Sequence, residues 1–240
     1  MELWNGFEIK REKFMDRDLI VVIPEKPCGG WVIKTEYFES FPDIQLRLVK
    51  EGYYLVHLKN ITRWHVWEDT DARAELAKYM AEKYGVRQKC VVIGMSCGGM
   101  QGIYFGAKYP EYVSCMYLDA PVVNFLSCPA AFGKATHDHM PVEFAEFINH
   151  KGITKSELLS YRDHPLDHLP ALAKNNIPII LVNGGADDVV VYEENGKLIE
   201  EAYKKNGSII ESYVVDGRGH HPHTLYDDDK IIDFIKKYDK

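Results

Sequence analysis

The stretch Val91-Val92-Ile93-Gly94-Met95-Ser96-Cys97-Gly98-Gly99-Met100 decides how this chain is read. Cys90 to Met95 is a short run without polar alternation, the pattern of a strand covered on both faces of a parallel sheet. A stretch with helical period, Cys97 to Tyr109, follows it directly. Ser96 therefore stands between strand and helix, inside a G-x-S-x-G string from Gly94 to Gly98. In that setting a serine occupies a strained turn and projects its Oγ, while the flanking glycines let strand and helix approach. A glycine-rich turn with an incidental serine is the plainer alternative. The strand–turn–helix context speaks against it.

Outward from this point the same alternation continues. Leu19 to Pro24, Tyr53 to Leu58, Val113 to Leu118 and Pro178 to Val182 read as buried strands, Phe7 to Met15 as an edge hairpin and Ile209 to Val215 as a late strand. Helical spacing marks Thr70 to Tyr84, Glu193 to Asn206 and Thr224 to Tyr238, with Gly85 placed to end the first. Strands alternating with helices over short connections predict an α/β fold, a mostly parallel central sheet with helices on both faces. No repeat or Pro/Gly/Ser linker divides the chain, so residues 1–240 are expected to form one domain. One connection is long. Residues 122–176 carry Pro129, Pro141, Pro165 and Pro170, with short helices expected near 142–150 and 154–162, and a connection of this length suggests a lid insertion.

The net charge of −7 leaves no basic excess to displace counterions, which argues against nucleic-acid binding. No apolar run approaches the ~20 residues of a membrane span, and the N-terminus lacks the pattern of a signal peptide. Five cysteines without a C-x-x-C pair fit a reduced, cytoplasmic setting better than a disulfide framework or a thiolate zinc site.

With the Ser96 elbow and the strand–helix order in place, the chain resembles the α/β-hydrolase superfamily of serine hydrolases. The resemblance implies an order of nucleophile, acid and histidine along the chain. A serine needs a base, and the base an orienting acid. The stretch Gly184-Gly185-Ala186-Asp187-Asp188-Val189-Val190-Val191 resembles the acid motif G-x-x-D-x-x-V, which favours Asp187 over Asp188, although Val191 stands where proline is common. Gly217-Arg218-Gly219-His220-His221-Pro222-His223 offers three histidines, and His220, first after the last glycine, is the expected base. Asp119, at another strand end, is a less favoured acid.

The resemblance also places one oxyanion donor at the backbone N–H of Cys97. The usual His-Gly motif for the second is absent. Trp31, Tyr37, Phe38, the Tyr117-Leu118-Asp119-Ala120-Pro121 stretch and the His220 loop are similar to prolyl-oligopeptidase-like and acetyl-xylan-esterase-like bacterial esterases. On that likeness the second donor is the N–H of Trp31, with Gly30 next. Trp64 and Trp67 are expected either to line the substrate pocket or to pack beneath the lid, and His139 of the lid is a further pocket candidate. A metal enzyme built on His220, His221 and His223 lacks a matching carboxylate pattern, so no metal or cofactor is expected.

The activity these likenesses imply is hydrolysis of a carboxylic ester (small acyl, sugar-acetyl or aromatic) on a small-molecule substrate through an acyl-enzyme. The alternatives are a peptidase or thioesterase, and a receptor-like binding protein on the same scaffold.

Overall fold

The computed structural model describes residues 2–240. Its strands are β1 (Leu3–Trp4), β2 (Phe7–Phe14), β3 (Arg17–Ile23), β4 (Trp31–Lys34), β5 (Tyr54–Leu58), β6 (Cys90–Met95), β7 (Val113–Asp119), β8 (Ile179–Gly184) and β9 (Ile210–Val215). They form a single sheet in the order β1-β2-β3-β5-β4-β6-β7-β8-β9. The first three strands and the β3–β5 pair run antiparallel, and every pairing from β5–β4 onward is parallel. This is the α/β-hydrolase architecture. Burial explains the sequence pattern: β5, β6, β7 and β8 are buried at every position, whereas β2 is half-buried or exposed except at Ile9 and β9 is mostly half-buried.

The helices are α1 (Asp43–Lys50), α2 (Trp67–Tyr84), α3 (Cys97–Lys108), α4 (Met140–Lys151), α5 (Pro165–Lys174), α6 (Gly196–Asn206) and α7 (Asp229–Tyr238). On one face Leu76 and Met80 of α2, Ile103 and Phe105 of α3, Leu172 of α5 and Tyr203 of α6 bury the sheet. On the other face Ile44 and Leu48 of α1 and Ile231 and Phe234 of α7 do the same. A third cluster caps the C-terminal ends of the strands. There Trp64, Met100, Tyr104 and Phe125 meet Met140, Phe144 and Phe147 of α4.

Three expectations need correction. Trp31–Lys34 is a strand in its own right, placed between β5 and β6, and not part of a loop after the first central strand. Only a short 3-10 turn, Glu157–Ser160, occupies the helix expected at 154–162. The end of the 122–176 segment is α5, which packs its Leu169 and Leu172 in the same cluster as α3 and so covers the sheet. Pro165 opens this helix at its first turn, where the missing N–H would have had no partner. Helix boundaries also shift: α2 begins at Trp67, and α7 at Asp229. No helix among the described residues is long and apolar enough to cross a membrane.

Candidate active site

Ser96 links β6 to α3 with φ +53° and ψ −120°, a conformation that costs a non-glycine residue on the order of 1–3 kcal/mol. Its neighbours hold it there. Its N–H donates to the carbonyl of Asp119 (3.0 Å), and its own carbonyl accepts from Val122 N–H (3.1 Å). Glycine is required around it. A Cβ on Gly94 would lie 2.6 Å from the Gly98 carbonyl oxygen, and one on Gly99 would lie 2.4 Å from Pro121 Cβ. Strand and helix therefore meet closely enough to aim Oγ outward.

The structure brings three of the expected residues together. His220 Nε2 lies 3.1 Å from Ser96 Oγ, and His220 Nδ1 lies 2.8 Å from Asp187 Oδ2. The other oxygen of Asp187 accepts from the N–H groups of Val189 (2.9 Å) and Val190 (2.8 Å). The Asp187 carboxylate is thus buried, fully hydrogen-bonded and fixed toward the imidazole. Asp188 is exposed and points no hydrogen bond at His220.

A second buried carboxylate holds the loop that carries His220. Asp119, at the end of β7, accepts from Arg218 Nη2 (2.8 Å), His223 Nδ1 (3.0 Å) and Tyr117 Oη (2.8 Å). Arg218 reaches on to the Thr224 carbonyl. Ala186 N–H donates to the Arg218 carbonyl (2.8 Å), so the loops bearing Asp187 and His220 are bonded to one another. Asp119 is therefore bound to the flanks of the His220 loop, and Asp187 meets the imidazole itself. The role of Arg218 was not evident in the sequence, although its place within Gly217-Arg218-Gly219-His220 was the signal that could have revealed it.

Trp31 does not reach this site. It opens β4, level with Cys90 at the start of β6, whereas Ser96 follows the end of β6. Five or six strand residues separate the two levels, roughly 16–20 Å. The Trp31 indole is buried and donates to the Arg87 carbonyl (2.8 Å). Gly30 lies at the same far end, against the Tyr53 ring. The loop that does reach the serine follows β4. Thr35 Oγ1 donates to the Gly98 carbonyl (2.6 Å), which lays Glu36 and Tyr37 across the first turn of α3. Tyr37 takes a left-handed conformation there, φ +54°.

A cavity of about 610 Å³ opens over Ser96 and His220. Tyr37, Phe41, Arg63, Glu143, His137 and His139 contribute to its wall, so His139 lies where the sequence suggested. Trp64 and Trp67 do not line it. Trp64 is fully buried, edge-on to Phe147 of α4, and Trp67 packs against His65, Tyr104 and His168 beside α3. Their apolar area serves packing beneath the 122–176 segment. The cavity's cation, Arg63, was not singled out in the sequence. Burial alone would lower its pKa, but the Glu146 carboxylate overrides this and holds it above the ordinary value, with Glu143 also in reach. Burial raises the Cys97 thiol to about 12, so this side chain is a neutral thiol beside the nucleophile.

Fold, strained serine and hydrogen-bonded Ser–His–Asp constellation together define an α/β-hydrolase of the serine-hydrolase superfamily. Residues 57–240 match the prolyl oligopeptidase family, and the chain belongs to that family. Among solved structures it is similar to a Pyrococcus horikoshii acylaminoacyl peptidase (14% identity, TM-score 0.71, 97% of this chain and 41% of that one). It is also similar to puromycin hydrolase (18%, 0.69, 96% and 38%) and to a Pyrococcus furiosus esterase (19%, 0.65, 97% and 93%). The chain thus spans under half the length of the first two and nearly all of the third. No curated protein sequence matches it.

Proposed function

We propose that the protein hydrolyses a carboxylic ester of a small molecule, with Ser96 as nucleophile, His220 as general base and Asp187 as orienting acid. The observation that carries this reading is the continuous hydrogen-bonded line Asp187–His220–Ser96 opening into the cavity. Ser96 Oγ attacks the acyl carbon while His220 Nε2 takes its proton. The imidazolium is stabilised by Asp187 and returns the proton to the leaving alkoxide. Water, activated by the same imidazole, then releases the acid. The developing oxyanion needs two aimed donors. Cys97 N–H, the first amide of α3, has no partner within the helix and supplies one. We assign the second to the amide of Tyr37, which the β4 loop brings into the cavity wall in place of Trp31 and which would exchange its long, 3.4 Å bond to the Glu36 carboxylate for the oxyanion.

Similarity over nearly the whole length of an esterase supports ester over peptide. The family match keeps peptide hydrolysis as the second reading. A small fluorophosphonate followed by intact-mass measurement tests the chemistry without a known substrate. One adduct on the wild type and none on Ser96→Ala is expected. A panel of acetyl, butyryl and cinnamoyl esters beside aminoacyl anilides then separates the two readings. A folded protein that forms no adduct would overturn the hydrolase reading in favour of a binding protein on this scaffold.

A further inference from the structure

Three imidazoles meet at the mouth of the site. The His220, His221 and His223 rings lie with centroids 4.8, 5.0 and 5.0 Å apart pairwise, and one nitrogen from each falls within 4.8 Å of the others. Two of the three are already oriented as metal-binding histidines are, each with Nδ1 held by a buried carboxylate: His220 by Asp187 and His223 by Asp119. That commitment leaves Nε2 of each to face a ligand, that of His220 once it gives up its 3.1 Å bond to Ser96 Oγ. His221 is exposed, and Phe41 stacks on its ring, 5.3 Å between centroids.

We propose that His220, His221 and His223 form an inhibitory site for a borderline divalent transition metal such as Zn2+. With one nitrogen of each ring no more than 4.8 Å from the others, an ion between them would sit at most about 2.8 Å from each, so shifts of up to about 0.7 Å bring them to the usual Zn–N length of ~2.1 Å. A water completes the tetrahedron. The metal is not catalytic here, because His220 Nε2 cannot hold an ion and also accept the Ser96 proton. Binding replaces the Ser96–His220 hydrogen bond and leaves the serine without its base. The binding itself is independent of the proposed hydrolase activity. Only the inhibitory consequence rests on it.

The test is calorimetric titration of ZnCl2 into Ser96→Ala, which keeps all three imidazoles and removes the competing hydroxyl. Saturable one-to-one binding is expected, weakened at least tenfold in Ser96→Ala/His221→Ala. In the wild type ZnCl2 is expected to suppress ester turnover reversibly, with chelator restoring it. The inhibition midpoint should rise at least tenfold in His221→Ala when each variant is normalised to its own metal-free rate. His221 is exposed, so its removal does not threaten folding. Absence of one-to-one binding, or binding unchanged by His221→Ala, overturns the site. Because calorimetry needs no turnover, a protein that binds zinc without hydrolysing any ester would refute the activity and not the metal site, and the converse result would refute the metal site alone.

Discussion

Replacing Asp119 with asparagine should be far more damaging than its distance from the reacting serine suggests. The carboxylate is wholly buried and accepts from Arg218, His223 and Tyr117 at 2.8–3.0 Å. Asparagine keeps the shape but removes the charge and turns one acceptor into an N–H donor facing donors. The Arg218 side chain, only 5% exposed, is left as a buried cation without its counterion. Breaking a buried pair by removing one partner costs about 3–5 kcal/mol. Against a typical total of about 5–15 kcal/mol, the variant is expected to fold with a much reduced margin. Urea unfolding followed by far-UV circular dichroism measures that loss. The rate of fluorophosphonate labelling in the folded variant measures displacement of His220, whose loop is fixed at both flanks by Arg218 and His223. Labelling should slow by at least tenfold. Arg218→Met combined with Asp119→Asn should cost clearly less than the sum of the two single changes, because the Arg218 substitution removes the cation that the Asp119 substitution orphans. A loss under about 1 kcal/mol for Asp119→Asn, or strict additivity in the double variant, would refute the view that this carboxylate anchors the base.

Two further outcomes follow from the same geometry. Asp187→Asn should lower turnover by a factor on the order of 10⁴, whereas Asp188→Asn should stay within about tenfold of wild type, and a reversed ranking in ester kinetics would move the acid by one residue. Lys34, buried in β4 with its ammonium on the Ser40 carbonyl, has its pKa lowered to about 7 by burial, which Glu39 only partly opposes. An unfolded lysine titrates near ~10.4, so between about pH 7 and 10 the unfolded chain binds the extra proton and the stability contributed at this position rises with pH. From pH 7 to 9 the wild type should gain about 2 kcal/mol relative to Lys34→Met in urea melts, and parallel pH profiles of the two would exclude the effect.

Much of this arrangement is written locally in the chain. The apolar runs of β5 to β8 announce themselves because strands covered on both faces tolerate no polar alternation, and the Ser96 elbow because strand, glycine and helix abut without a loop. The acid and histidine motifs follow strand ends, where a short string suffices to locate them. What escaped is set by tertiary contacts. Strand β4 has four residues behind Gly29 and Gly30, too few to show a period, and its omission put the expected oxyanion donor at Trp31, the first residue of that strand, at the end of the sheet away from Ser96. Helix α5 opens on Pro165, a favoured first-turn residue, but also contains Pro170, which sequence rules read as a break. Its burial against α3 outweighs the missing bond of the exposed Pro170. The tryptophans near α2 carried no mark of whether they face a cavity or a core, since Trp64 is covered by Phe147 of α4 and Trp67 packs against Tyr104 of α3 and His168 of α5, all distant in the chain.

The order of strands also divides the site by local durability. Ser96 hangs from β6, flanked on both sides by fully buried neighbours, whereas His220 follows β9, the last strand, bonded along one edge only and half open to water. Fluctuations of such an edge need not involve the rest of the sheet. The nucleophile is therefore expected to sit in a slower-exchanging part of the molecule than the strand that leads to its base. Backbone amides of β9 should exchange with deuterium well before those of β6, and moderate heat or denaturant should silence the serine while the sheet around it is still intact.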